Sequence, residues 1–206
     1  MKENRFMEKK VSRIIKKGKI DAPICEPCAS CGVKCCNRFA VPLTGFDVAR
    51  IAEATGFEAQ EFCRLEKAEL IGEAPHSKIF IVEGGKIEER LLALKRRKNE
   101  YCVFSLHSSG CAIWGAHPYA CIVYPFELGE DGKIRYGNNF VCPRKWADGE
   151  FDAKKTGEAI RKMREEIEGY NKIVRKWNAQ FAKEGDEKKF FAYLLKESRE
   201  KAVEKK

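Results

Sequence analysis

Apolar residues near the C-terminus recur at alternating steps of three and four positions. They are Ile160, Met163, Ile167, Tyr170, Val174, Trp177 and Phe181. This spacing places them on one face of a helix of about 28 residues. Gly185 interrupts the pattern, and a second apolar set predicts another helix: Phe190, Phe191, Leu194 and Leu195. We therefore predict a C-terminal helical hairpin, whose stripe either packs against the rest of the chain or forms a dimer seam.

A shorter helix is predicted after residue 44. Thr44 is followed three positions later by Asp47, a variant of the capping box that begins many helices. The helix should bury Val48 and Ile51 and end near Gly56.

A second short helix is predicted at about residues 58–71. Phe62, Leu65 and Leu70 have roughly helical spacing there. Cys63 lies within this segment, and we interpret it as a small packing residue.

The segments that follow predict strands. Residues 78–83 and 86–94 are rich in β-branched and apolar residues and are separated by Gly84-Gly85, which predicts a β-hairpin. Residues 101–105 predict another strand, and residues 4–17 predict a basic helix. The fold class is therefore α+β: a small, irregular cysteine-rich metal-binding domain with a β-hairpin and short helices, plus the C-terminal helical hairpin.

The composition favours a globular cytoplasmic protein. The 206 residues are 44% apolar and 34% charged. The N-terminus lacks the apolar core of a secretory signal, and no run reaches the roughly 20 apolar residues needed to span a bilayer. We divide the chain into a basic N-terminal helix at 1–20, a cysteine-cluster domain at 21–150 and a helical region at 151–206.

The net charge of +9 is concentrated at the two ends of the chain. Residues 1–20 and 153–206 each carry +6, whereas the remaining residues carry −3. Solvated helix faces explain this distribution most simply, and a nucleic-acid partner is the alternative.

The cysteines carry the strongest chemical signal. Five of the ten fall between Cys25 and Cys36. Disulfides are uncommon in the reducing cytosol, so cysteines at this density favour metal binding. Cys25-x2-Cys28-x2-Cys31-x3-Cys35 has the spacing of a bacterial ferredoxin run. Cys36 stands where ferredoxins have Pro, and the run has no second copy, which argues against a two-cluster ferredoxin.

The later cysteines are widely spaced, as Cys102-x8-Cys111-x9-Cys121-x20-Cys142. Separate segments must therefore fold together to assemble a site. Neighbouring aromatic residues either shelter a cluster from water or form a small core.

Several motifs together resemble the YkgJ-type cysteine-cluster family, also described as a zinc- or iron-chelating CxxCxxCC domain. They are Cys28-x2-Cys31-x3-Cys35-Cys36, Leu43-Thr-Gly-Phe-Asp47-Val-Ala-Arg-Ile51, Cys102-Val-Phe-Ser-Leu, Cys111-Ala-Ile-Trp, His117-Pro118-x2-Cys121 and Tyr124-Pro125-Phe126. The resemblance covers about residues 25–145. It implies eight metal-ligating cysteines: Cys28, Cys31, Cys35, Cys36, Cys102, Cys111, Cys121 and Cys142.

Some residues depart from the family pattern. Cys25 and Cys63 have no clear counterpart. Trp114 and His117-Pro118 stand where the family usually has Tyr and Arg-Pro, so the resemblance does not imply a guanidinium contact to a ligand there. His117 is either a replacement ligand or a loop residue.

Three functions fit these features. We favour an iron–sulfur protein, with one or two clusters of the 4Fe–4S type, that exchanges electrons with a redox or protein partner. The alternative is a structural zinc protein whose basic arms and the Lys95–Lys98 loop bind a protein or nucleic acid. A metal-dependent enzyme, such as an oxidoreductase or a methyltransferase component, rests on family analogy alone.

Overall fold

The computed structural model describes residues 39–71, 74–98, 100–106, 110–137, 142 and 151–203. The predicted helix at 4–17 and the cysteines from Cys25 to Cys36 lie outside these residues. The described residues form two compact units. The sheet unit contains 40–96 and 166–203, and the cysteine unit contains Phe39 and 97–165.

The sheet unit is built on a three-stranded antiparallel sheet of order β1-β3-β2. Its strands are β1 (Cys63–Lys67), β2 (Ile79–Glu83) and β3 (Lys86–Leu94). The predicted hairpin is confirmed, with Glu83 opposite Lys86. Gly84 and Gly85 have φ of 58° and 80°, and positive φ at both turn positions matches the twist of a two-residue hairpin.

Helix α1 (Gly45–Thr55) begins and ends where the sequence predicts. The Thr44 side chain accepts a hydrogen bond from the Asp47 N–H, and the Asp47 carboxylate accepts one from the Thr44 N–H. Gly56, with φ of 71°, ends the helix in the left-handed conformation. The predicted Val48 and Ile51 are buried.

The single helix predicted at 58–71 is wrong. The segment instead contains α2 (Ala59–Phe62), strand β1 and α3 (Ala68–Ile71). Strand β1 pairs with β3 along its whole length, from Cys63 opposite Leu94 to Lys67 opposite Arg90. A short apolar pattern does not distinguish helix from strand, and pairing with the hairpin decides the conformation here.

The C-terminal helical hairpin is confirmed as α5 (Ala153–Phe181) followed by α6 (Glu187–Val203). Residues 153–165 of α5 belong to the cysteine unit, and 166–181 belong to the sheet unit. In the sheet unit, the stripe forms core rather than an exposed seam: Tyr170, Val174 and Trp177 are at most 1% exposed. The Trp177 ring packs against Phe190 of α6, with ring centroids 5.3 Å apart.

The cysteine unit contains short elements. Strand β4 (Ser105–Leu106) pairs with β5 (Gly110–Cys111), and β6 (Phe126–Leu128) pairs with β7 (Ile134–Tyr136). Helix α4 (Tyr119–Val123) lies between these hairpins in the chain. The strand predicted at 101–105 reduces to β4, because the chain turns at 103–104.

The architecture is therefore α+β, as predicted. Among the described helices, none is long and apolar enough to cross a membrane.

Candidate metal centre

Cys102 is held in a tight loop of the cysteine unit. Its side chain is buried, and its carbonyl accepts a hydrogen bond of 3.0 Å from the Ser105 N–H. Arg97 closes the loop from the other side: its N–H donates to the Tyr101 carbonyl at 2.7 Å, and its guanidinium donates to the Val103 carbonyl at 2.8 Å. Hydrogen bonds on both sides thus fix the position of Cys102.

The first hairpin brings the segment of Cys111 beside the segment that follows Cys102. Cys111 lies on β5 opposite Ser105. Ser105 is the third residue after Cys102 in the chain. The neighbouring Ala112 N–H donates to the Phe104 carbonyl at 2.9 Å. These bonds bring the segments of Cys102 and Cys111 together, although eight residues separate the two cysteines in the chain.

Cys121 and Cys142 lie on other segments of the same unit. Cys121 is exposed on α4, and its N–H donates to the Pro118 carbonyl at 2.9 Å. Cys142 is half-buried, and its carbonyl accepts a hydrogen bond of 2.8 Å from the Tyr136 hydroxyl. Four different segments therefore supply the four described cysteines of the predicted ligand set.

His117 has a defined role in the loop before α4. Its ring stacks on Trp114, with centroids 4.5 Å apart and an angle of 18° between the planes. Its Nδ1 accepts a hydrogen bond of 3.1 Å from the Gly115 N–H. That bond uses the Nδ1 lone pair, so this nitrogen is engaged within the loop.

Cys63 belongs to the sheet unit, whereas these four cysteines belong to the cysteine unit. The residue is 1% exposed, and its thiol donates to the Ala59 carbonyl, with 2.8 Å between sulfur and oxygen. Burial raises the pKa of the Cys63 thiol well above its ordinary value, although Lys95 opposes the shift. A protonated, hydrogen-bonded thiol is a packing group, because the thiolate is the form that binds metal.

A complete metal site needs more than the described residues. Among them, no group of three or more Cys, His, Asp or Glu side chains is placed to hold a metal ion. The remaining predicted ligands are Cys28, Cys31, Cys35 and Cys36, which lie outside the described residues. The donor set itself, eight thiols, is of the soft type that zinc and iron–sulfur clusters prefer.

A polar cluster in the sheet unit was not predicted from the sequence. The Arg50 guanidinium bridges Asp47 at 2.5 Å and Glu166 of α5 at 2.9 Å. Burial raises the pKa of Glu166, and the hydrogen bond from Arg50 opposes that shift. The spacing Thr44-x2-Asp47-x2-Arg50 was a signal for one helix face, but nothing in the sequence linked it to Glu166.

The same cluster explains one motif of the family resemblance. Thr44, Asp47 and Arg50 belong to the segment that runs from Leu43 to Ile51. In the structure they cap α1 and join it to α5. This segment therefore stabilises the sheet unit.

The fold and the cysteine segments define an α+β cysteine-cluster protein. A family model, CxxCxxCC, matches residues 27–143, which is more than half of the 206-residue chain. The family is described as a "Putative zinc- or iron-chelating domain", and the chain belongs to it. Searches of curated proteins and of solved structures gave no match. Membership supports metal binding without distinguishing zinc from iron.

Proposed function

We propose that the protein carries an iron–sulfur centre of the 4Fe–4S type, in one or two sites, and acts in electron transfer. The thiolates of eight cysteines hold the centre: Cys28, Cys31, Cys35, Cys36, Cys102, Cys111, Cys121 and Cys142. When bound, such a centre supplies one-electron redox chemistry. The division of these ligands between sites is open in this proposal.

The sorting of cysteines between the two units carries the proposal. Cys102, Cys111, Cys121 and Cys142 all belong to the cysteine unit, whereas Cys63 is buried in the sheet unit. Among the described cysteines, the four with a family counterpart share one unit, and Cys63, which has none, belongs to the other. The backbone bonds of the Cys102 loop and of the first hairpin preorganise two of the ligands.

The different exposure of these cysteines supports a redox role. Cys102 is buried, whereas Cys121 is exposed on α4 beside Ile122, which is 42% exposed. A centre held by a buried ligand such as Cys102 and an exposed ligand such as Cys121 would be partly sheltered from water and still accessible to a protein partner. Both properties suit electron exchange.

The visible spectrum of anaerobically purified protein tests the choice of metal. An iron–sulfur protein absorbs in the visible range, loses that absorption on reduction and releases acid-labile sulfide. A colourless protein with stoichiometric zinc would overturn the proposal in favour of a structural zinc site, because zinc has no redox chemistry.

A further inference from the structure

A cleft of about 430 Å³ opens on the cysteine unit, and none of the described cysteines lines it. Its lining residues come from the β6–β7 hairpin, Phe151 and the first turns of α5. They are Leu128, Gly132, Lys133, Ile134, Phe151, Ala153, Lys154, Gly157 and Arg161. This volume lies in the range of small-molecule sites, roughly 300–1,000 Å³.

The cleft combines an apolar floor with a cationic rim. Leu128, Ile134 and Phe151 are half-buried. The Phe151 ring stacks on Phe126, with centroids 4.3 Å apart, which fixes an aromatic group in the floor. Lys133, Lys154 and Arg161 supply three positive charges, and no acid is among the described residues that line the cleft.

Two acids close to rim residues in the chain pair with cations that do not line the cleft. Asp131 pairs with Arg135 at 3.1 Å, and Asp152 pairs with Lys155 at 3.5 Å. Within the described residues, Lys133, Lys154 and Arg161 form no ion pair. Three adjacent cations repel one another, so an anion in the cleft would relieve that repulsion.

The first turn of α5 is not the source of this attraction. Asp152 already occupies it, because its carboxylate accepts the Lys155 N–H at 3.0 Å and its carbonyl accepts the Thr156 N–H at 2.8 Å. The three side-chain charges and the cleft itself carry the argument.

Gly157 is a second feature that favours an open cleft, because it lines the cleft without a side chain. A Cβ at Gly157 would lie 3.5 Å from Ile134 Cδ1 and 3.6 Å from an Arg161 nitrogen, which are ordinary contacts. Packing therefore does not require glycine, although glycine in a helix interior is destabilising. A side chain at this position would extend into the cleft and reduce its volume.

We propose that this cleft binds a phosphorylated nucleoside, either free or as part of single-stranded RNA. The phosphate would lie against Lys133, Lys154 and Arg161, and the base would lie on the apolar floor that includes Phe151. A phosphate matches a rim of several cations better than a single carboxylate does, and aromatic side chains stack with bases of any sequence. None of the residues assigned to this site is a cysteine of the proposed metal centre.

Calorimetric titration of the full chain with adenosine monophosphate tests the proposal. We expect binding that weakens as salt rises, and weaker binding of adenosine or inorganic phosphate alone. Arg161→Ala and Lys154→Ala should each reduce affinity about tenfold, as expected for loss of a charge-assisted hydrogen bond. Gly157→Val should weaken binding without any change in charge.

Lys162→Ala is the matched control, because Lys162 follows Arg161 on α5, is exposed and does not line the cleft. It should leave affinity unchanged. Absence of binding, equal loss in Arg161→Ala and Lys162→Ala, or phosphate that binds as tightly as the nucleotide would overturn the proposal. A short single-stranded RNA, titrated in parallel, distinguishes the two sources: tighter binding than the mononucleotide, lost in the same variants, indicates RNA, and weaker binding indicates a free nucleotide.

Discussion

The side-chain amide of Asn178 forms two hydrogen bonds with the backbone of the edge strand β2 and of the residue before it, and one of them is with Phe80. Asn178 Oδ1 accepts the Phe80 N–H at 2.9 Å, and Nδ2 donates to the Lys78 carbonyl at 2.8 Å. Trp177 Nε1 donates to the Phe80 carbonyl at 2.9 Å, and the Gly185 carbonyl accepts the Val82 N–H at 2.8 Å. Helix α5 and Gly185, in the turn between α5 and α6, thus satisfy outward backbone groups of Phe80 and Val82 in β2, which protects the sheet edge from pairing with another chain.

Asn171 repeats this arrangement two turns earlier on α5. Its Oδ1 accepts the Ser77 N–H at 2.6 Å, and its Nδ2 donates to the Pro75 carbonyl at 2.9 Å. The seven-residue spacing places both amides on one face of the helix. Beside the apolar stripe, α5 therefore carries a polar row that fixes the register of the helix against β2.

Replacement of Asn178 by Leu should destabilise the sheet unit. The variant keeps a side chain of similar size but leaves the part-buried Phe80 N–H and the Lys78 carbonyl without these partners. We expect a loss of about 2 kcal/mol in the free energy of unfolding, measured by urea denaturation. Gln180→Leu is the control, because it removes an amide from an exposed position on the same helix. Equal losses in the two variants would show that the edge bonds contribute nothing.

Gly45 allows α1 to approach α6 closely. A Cβ at Gly45 would overlap Ser198 Oγ and lie 2.7 Å from Leu194 Cδ1. Gly45→Ala should therefore destabilise the protein by about 1–3 kcal/mol through overpacking. Thermal unfolding followed by circular dichroism measures the change.

Two variants check this explanation. Gly157→Ala, where the new Cβ makes only ordinary contacts, should stabilise the helix by about 0.5–1 kcal/mol. Ser198→Gly should restore part of the stability lost in Gly45→Ala by removing the hydroxyl that overlaps. A destabilised Gly157→Ala, or the absence of any rescue, would argue against close packing as the cause.

His76 should make the stability of the protein depend on pH. Its ring meets Tyr170 edge-on at 5.9 Å, and its Nδ1 is buried without a hydrogen-bond partner within the described residues. Burial lowers the pKa of His76, and the charge of Asp47 opposes that shift. As the pH falls through about 6.5, His76 therefore binds a proton more readily in the unfolded chain than in the folded chain. Stability should fall as the pH decreases below about 6.5, by at most about 1.4 kcal/mol per pH unit from this residue.

Glu166 contributes with the opposite sign. Burial raises its pKa above the ordinary value of 4.5, so the folded state holds a proton more readily than the unfolded state. Its contribution to stability increases as the pH falls toward 4.5. Urea unfolding across this range should show a flatter profile for His76→Gln and a steeper acid-side loss for Glu166→Gln. An unchanged profile in His76→Gln would contradict the role assigned to this histidine.

The sequence predicts those parts of the fold that local chemistry controls. The capping pair Thr44 and Asp47, the turn Gly84-Gly85 and the apolar stripe of α5 each specify an element through neighbouring residues. Residues 63–67 form a strand because β3 pairs with them, and that partner lies more than twenty residues away.

In the candidate site, too, the sequence does not reveal contacts between residues that are distant in the chain. Cysteine spacing identifies which residues belong to the family pattern, but it does not show that Cys63 folds into a different unit from Cys102. Arg50 reaches Glu166 across 116 positions of the chain, a distance at which sequence pattern carries no information. Long-range pairs of this kind arise from packing between elements, so only the folded chain reveals them.

The iron content per chain, measured side by side in the wild type and three cysteine variants, tests the central claim most directly. We predict iron and acid-labile sulfide in the wild type, with marked loss in Cys28→Ser and Cys121→Ser. Cys63→Ser should retain the wild-type content, since its hydroxyl can still donate to the Ala59 carbonyl. Equal loss in all three variants, or stoichiometric zinc in place of iron in the wild type, would contradict an iron–sulfur centre held by the family's cysteines.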